Sequence, residues 1–117
     1  MTDENLKNTP QDAAKGYWIV LATVLDNEGF GNYTFVAGPV IKSFGGRVLA
    51  RGDVAIVVEG AVSGRPYVIE FPSYQAAQAC FGSAPYQAAI ALRDGVAEFN
   101  IIIAQGFVPP EPAAPNR

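Results

Sequence analysis

The run Tyr17 to Leu25, "YWIVLATVL", is apolar on both of its alternating faces and rich in β-branched and aromatic side chains. A strand of this kind calls for cover on both sides, because either face left in water would expose continuous apolar surface. A second such run, "VAEFNIIIA" from Val96, lies near the other end of the chain. The residues between them must therefore supply covering layers and neighbouring strands.

Asp26 is placed to cap a helix, and Phe30, Tyr33, Ala37, Val40, Ile41 and Phe44 then recur at spacings that put them on one helical face. Pro39 falls inside that pattern and predicts a kink or a break, since it removes a backbone donor. Gly45 and Gly46 are the natural stop, because glycine adopts a left-handed backbone without steric cost. Arg47 to Arg51 reads as the second strand, with "GDVAIVVEG" continuing as extended chain after a turn at Gly52-Asp53. "PYVIEF", Pro66 to Phe71, reads as the next core strand. Ser73 caps a helix whose apolar side holds Ala76, Ala77, Cys80 and Phe81. "GSAP" interrupts it, with Ser83 as a fresh cap and Pro85 in the first turn. Tyr86, Ala89, Ile90 and Arg93 then share one face up to Asp94-Gly95.

The order is β-α-β-β-α-β. It predicts an α+β, ferredoxin-like fold: a four-stranded antiparallel sheet with both helices on one face. The other face is left bare, and the doubly apolar outer runs predict that it meets a second copy of the chain, giving a homodimer.

With 117 residues, half of them hydrophobic, the chain suits one domain with a real core. The segment 16–107 is the expected folded unit. The polar stretch 1–15 and the proline-rich stretch 108–117 read as disordered tails, too poor in apolar surface to offset ordering entropy. A formal charge of −3 gives no reason to expect nucleic acid as a partner. No run is long and apolar enough for a membrane span, and the polar start does not read as a secretory signal. The single cysteine, Cys80, can form no disulfide within the chain, which fits a cytoplasmic protein.

Histidine is absent, which excludes Ser-His-Asp and Cys-His nucleophile systems, a histidine-ligated haem and most zinc sites. The acids are scattered singly, so neither a metal nor a cofactor is expected. "GFGNYT" imitates the start of a dinucleotide-binding turn, with Asp53 further on. However, Asp26 and Glu28 would repel a pyrophosphate there, and Thr34 stands where the third glycine belongs. Cys80 reads as a small buried hydrophobe and Arg93 as a cation favoured at a helix C-terminus.

Three phrases, "AGPVIKSFGGRVLARG", "VIEFPSYQAA" and "SAPYQAAIALR", in this order and spacing, resemble the domain of unknown function family 1330, of the dimeric α+β barrel superfamily. The resemblance covers roughly residues 16–104 and implies the ferredoxin-like fold and a dimer, but no reaction. Relatives in that superfamily include cofactor-free monooxygenases, isomerases and haem proteins. The chain departs from the family's pattern at Cys80, Phe81 and Gly82, where Trp-Tyr-Asn is common, and at Pro85, where an acid is common. The superfamily places its ligands between helices and sheet, which makes Tyr33 and Tyr86 candidates to line such a cavity.

Glu70 sits in mid-strand, sharing a face with Val68, and a carboxylate there is seldom buried unpaired. In a regular strand Arg47, Leu49 and Arg51 share one face, with about 13 Å between the arginines, too far for a joint grip on one small carboxylate unless a bulge intervenes. Glu70 and Glu59 are their candidate partners. The candidate ligand-cavity residues are thus Tyr33, Arg47, Arg51, Glu70 and Tyr86. They point to a small organic molecule, acidic or aromatic, with cofactor-independent catalysis open and no catalytic residue assigned. In that chemistry an arginine would hold an anion, a tyrosine would donate a hydrogen bond and Glu70 would accept a proton. The alternative is a non-catalytic dimer, a ligand sensor or an interaction module.

Overall fold

The computed structural model describes residues 14–110, so of the expected tails at 1–15 and 108–117 the stretches 1–13 and 111–117 lie outside the described residues. The elements are β1 (Gly16–Val24), α1 (Asn27–Ser43), β2 (Arg47–Ala50), β3 (Arg65–Phe71), α2 (Tyr74–Gly82), α3 (Ala84–Ile90), a 3-10 turn (Ala91–Arg93) and β4 (Ala97–Gln105). The strands form one sheet in the order β2-β3-β1-β4, with every neighbouring pair antiparallel. This is the ferredoxin-like α+β arrangement, with the helices on one face. Among the described residues no helix is long and apolar enough to cross a membrane.

The alternation of β1 sorts its residues cleanly. Trp18, Val20 and Ala22 are buried against the helices, where they join Tyr33 and Ala37 of α1, Ala77 and Cys80 of α2, and Tyr86 and Ala89 of α3 in one core. Trp18 donates its indole N–H to the Ala77 carbonyl at 2.9 Å, which ties the centre of the sheet to α2. The other face of β1 is open in a single chain: Ile19 is 42% exposed and its neighbour across β4, Ile102, is 63% exposed.

Asp26 caps α1 by accepting the Glu28 N–H at 3.1 Å. The helix does not break at Pro39 but runs through it. The proline lies on the exposed side, where water can satisfy the Phe35 carbonyl that it leaves without a donor. At the other end Gly45 N–H bonds to the Lys42 carbonyl and Gly46 N–H to that of Ile41, closing the helix. Gly45 has φ +83°, and a Cβ there would lie 2.6 Å from the Pro72 ring, so the position admits only glycine comfortably. The "GFGNYT" stretch falls inside α1, so it forms no phosphate loop.

The break between α2 and α3 is built around Ser83. Its hydroxyl accepts the Tyr86 N–H at 3.3 Å and donates to the Cys80 carbonyl at 2.7 Å, so one side chain ends one helix and starts the next.

The second strand departs from expectation. It ends at Ala50, and its register with β3 slips: Arg47 opposes Glu70 and Val48 opposes Ile69, but Ala50 opposes Val68. The extra residue is Leu49, a β-bulge that reverses the side-chain parity beyond it. From Arg51 to Gly64 the chain belongs to no strand, and its apolar side chains, Val54 (91% exposed), Ile56 (82%) and Val58 (84%) among them, stand in solvent.

Candidate functional site

A cavity of about 520 Å³ opens between α1 and the helix-facing side of the sheet. Its walls are aromatic and aliphatic: Trp18 and Val20 from β1, Phe30 and Ala37 from α1, Tyr67 and Ile69 from β3, Phe99 and Ile101 from β4. The alternation of three strands puts these residues on one side, and the three-to-four spacing of α1 brings Phe30, Tyr33 and Ala37 down to meet them.

Tyr33 and Tyr86 also line the cavity, and their hydroxyls share a 2.5 Å hydrogen bond. The Ser83 cap fixes the start of α3 and so the position of Tyr86. Burial raises the pKa of both phenols, and the neighbouring Tyr86 hydroxyl raises that of Tyr33 further, so both stay protonated in neutral solution. Behind them the Arg93 guanidinium lies 4.1 Å from the centre of the Phe99 ring and 5.3 Å from that of Tyr33. Its role is therefore not confined to the helix end: it is a cation against the aromatic floor.

The rim is polar. Arg51 donates to Asp53 at 3.4 Å, and Arg65 donates to the Asn27 side-chain oxygen at 3.3 Å while lying 5.9 Å over the Phe30 ring. All four polar residues line the cavity. Gly52 makes this possible, because a Cβ there would lie 2.6 Å from the Arg65 Cβ. The glycine lets the chain leaving β2 press against the start of β3, bringing Arg51 beside Arg65.

Of the five residues expected at the cavity, Tyr33, Tyr86 and Arg51 line it. Arg47 and Glu70 do not. They lie on the opposite, open face of the sheet, where Arg47 Nε donates to Glu70 Oε1 at 2.9 Å and the Tyr17 hydroxyl donates to Oε2 at 3.0 Å. The bulge at Leu49 is the reason: it turns Arg51 towards the helices and leaves Arg47 with Glu70 on the other side. The expectation that the two arginines share a face is thereby overturned, as is the choice of Glu70 as a proton acceptor in the cavity. Glu70 pairs with Arg47, not Arg51, and Glu59 is exposed in the 51–64 segment. The hydrogen bond from Arg47, then that from Tyr17, holds the Glu70 carboxyl below its usual range.

Arg65, Asn27, Asp53 and Arg93 are the site residues that sequence reasoning missed. Arg65 carried a usable signal, since as the first residue of "RPYVIEF" it shares parity with Tyr67 and Ile69. Cys80 is buried as expected, and burial pushes its thiol up to about 11. Among the described residues no group of acids and cysteine is arranged to hold a metal ion.

A ferredoxin-like sheet with an aromatic cavity under its first helix defines the class of this protein. The chain belongs to the family described as Domain of unknown function (DUF1330), whose profile matches residues 15–107. No curated protein matches it. Among solved structures it is similar to RPA0582, a protein of unknown function from Rhodopseudomonas palustris, at 18% identity and a TM-score of 0.66, covering 93% of this chain and 96% of that one. The methylated form of RPA0582 matches at the same identity and TM-score, over 95% and 96%. SnoaB from Streptomyces nogalater, a cofactor-independent oxygenase, matches at 8% identity and a TM-score of 0.54, over 87% and 99%. At these identities the likeness is one of fold.

Proposed function

We propose that this chain forms a homodimer and binds a small acidic aromatic molecule in the cavity beneath α1. The observation that carries the reading is the pairing of an aromatic interior of about 520 Å³ with two arginines at its rim. A flat ring fits such walls, and guanidinium groups are suited to a carboxylate because they present fixed, parallel donors. Arg65 is the better placed of the two. Its only described polar partner is a neutral amide, whereas Arg51 already faces the Asp53 carboxylate.

Binding is favoured over acid–base catalysis. Among the described residues the one carboxylate lining the cavity is Asp53, exposed and paired with Arg51, and the tyrosines are too weakly acidic to serve as bases at neutral pH. A second reading, cofactor-independent chemistry driven by the ligand's own acidity, draws on the shared fold with an oxygenase of that type. A non-catalytic ligand sensor is the form that the binding reading takes if no turnover is found.

The test is a thermal-shift and fluorescence titration with benzoate, salicylate and 4-hydroxybenzoate. Trp18, the one tryptophan, lines the cavity and reports occupancy directly. At least one of these acids should raise the melting temperature and change Trp18 emission, and Arg65→Ala should weaken that acid about tenfold or more, the loss expected of a charge-assisted contact. If none binds, or if Arg65→Ala leaves affinity unchanged, the reading fails.

A further inference from the structure

The tyrosine pair that lines the cavity leaves one hydroxyl hydrogen without an acceptor. Tyr33 and Tyr86 bring two hydroxyl hydrogens, and the bond between their oxygens uses one of them. The other has no protein acceptor among the described residues. Arg93 adds to the imbalance, since its Nε is buried without a hydrogen-bond partner. The guanidinium takes part in neither of the described ion pairs, Arg47–Glu70 and Arg51–Asp53, and the carboxylates nearest it, Asp94 and Glu98, line the groove on its outer side. A buried donor left unmatched carries a desolvation cost that an incoming acceptor removes. Such a cluster is poised for an acceptor, and both tyrosines line the cavity.

We propose that Arg93, Tyr86 and Tyr33 form an anion-accepting floor, which takes the hydroxyl oxygen of a phenol or enol ligand and favours its ionised form. This rests on the cavity being a ligand site, but adds a second pole to it: the rim takes the carboxylate, the floor the oxyanion. Arg93 acts as a positioning residue through Tyr33. With its positive charge over that ring, the tyrosine pair donates outward most strongly to an oxygen that carries negative charge. Because burial keeps both tyrosines protonated, they remain donors across the pH range in which a more acidic ligand phenol ionises. The other groups in reach do not oppose this. From α2, Cys80 stays a neutral thiol. Arg51, Asp53 and Arg65 lie at the rim, and Asp94 and Glu98 flank Arg93 in a shallow groove on its outer side.

The probe is 4-nitrophenol, whose ionised form has its own visible absorbance, with 4-nitroanisole as the analogue that cannot ionise. Bound to the wild-type protein, nitrophenol should ionise about one pH unit or more below its free value, the shift typical of a nearby opposite charge. It should also bind about tenfold tighter than nitroanisole above that midpoint. Arg93→Gln should return the bound midpoint to the free value or above it, Arg93→Lys should retain most of the shift, and the double change Tyr33→Phe with Tyr86→Phe should abolish it. A bound midpoint at or above the free value in the wild type overturns the proposal, as does failure of nitrophenol to bind, and neither result depends on a variant folding. An unchanged midpoint in a folded Arg93→Gln removes Arg93 from it. Aromatic acids that still bind through Arg65 in any of these cases leave the rim site standing.

Discussion

Glu70 accepts from two donors on different strands, Arg47 on β2 and Tyr17 on β1, along one cross-strand row of the open face. Its pKa is depressed in the folded chain, so the stabilisation is present above the ordinary carboxylate pKa and is lost as pH falls through the lower, folded value. Glu70→Gln should therefore flatten the dependence of the unfolding midpoint on pH in the acid range while leaving a smaller change at neutral pH, as denaturant titrations at a series of pH values would measure. The expected effect is modest, because the Arg47 side chain is 73% exposed and water screens the pair. A Glu70→Gln protein with the same acid profile as wild type would show that the row contributes nothing. The neighbouring charges mark the limit of what the sequence could reveal. That a mid-strand carboxylate needed an arginine was legible from burial logic alone. Which arginine it was depended on Leu49, and no local feature of "RVLAR" announces a bulge. Arg93 was hidden for a different reason: its environment is made by Phe99 and Tyr33, residues from two other elements, which only the tertiary fold brings over it.

At the level of elements, Ser83 links secondary structure to the site. The same hydroxyl that ends α2 starts α3, three residues before Tyr86. Ser83→Ala should cost about 1 kcal/mol of stability, the usual value of a helix cap, and should also weaken nitrophenol binding by loosening the start of α3. Chemical denaturation and the nitrophenol titration read the two effects separately; a stability loss with unchanged binding would show that the floor is held by packing alone. The helices and the four strands were legible because their signals are periodic and local: the caps Asp26, Ser73 and Ser83 and the stop at Gly45-Gly46 all stand where the sequence puts them. Pro39 misleads because a proline on the solvent side of a helix costs one hydrogen bond that water replaces, whereas a buried one would break it. The stretch "GDVAIVVEG" reads only as a continuation in extended chain, and it pairs with no strand among the described residues.

For the whole molecule, that stretch and the open sheet face belong to the same question. Ile19, Val68 and Ile102 lie side by side across β1, β3 and β4, and the 51–64 segment adds exposed Val54, Ile56 and Val58. The homodimer proposed above would cover this surface with its own counterpart. Sedimentation should give a species heavier than the 12.4 kDa chain at micromolar concentration, and Ile102→Asp should convert it to that mass with its circular dichroism unchanged. A wild-type monomer under those conditions would end the dimer reading. The sheet order β2-β3-β1-β4 has a further consequence, felt while the protein is being made. Of the four strands, β1 leaves the ribosome first, yet one edge of it waits for β3 and the other for β4, which pairs with it along its whole length from Gly16 to Val24. Until β3 has been made this apolar strand has two open edges, and one of them stays open until β4 follows. The strand around which the fold is organised is thus the one that a nascent chain must shield longest from its neighbours on the polysome.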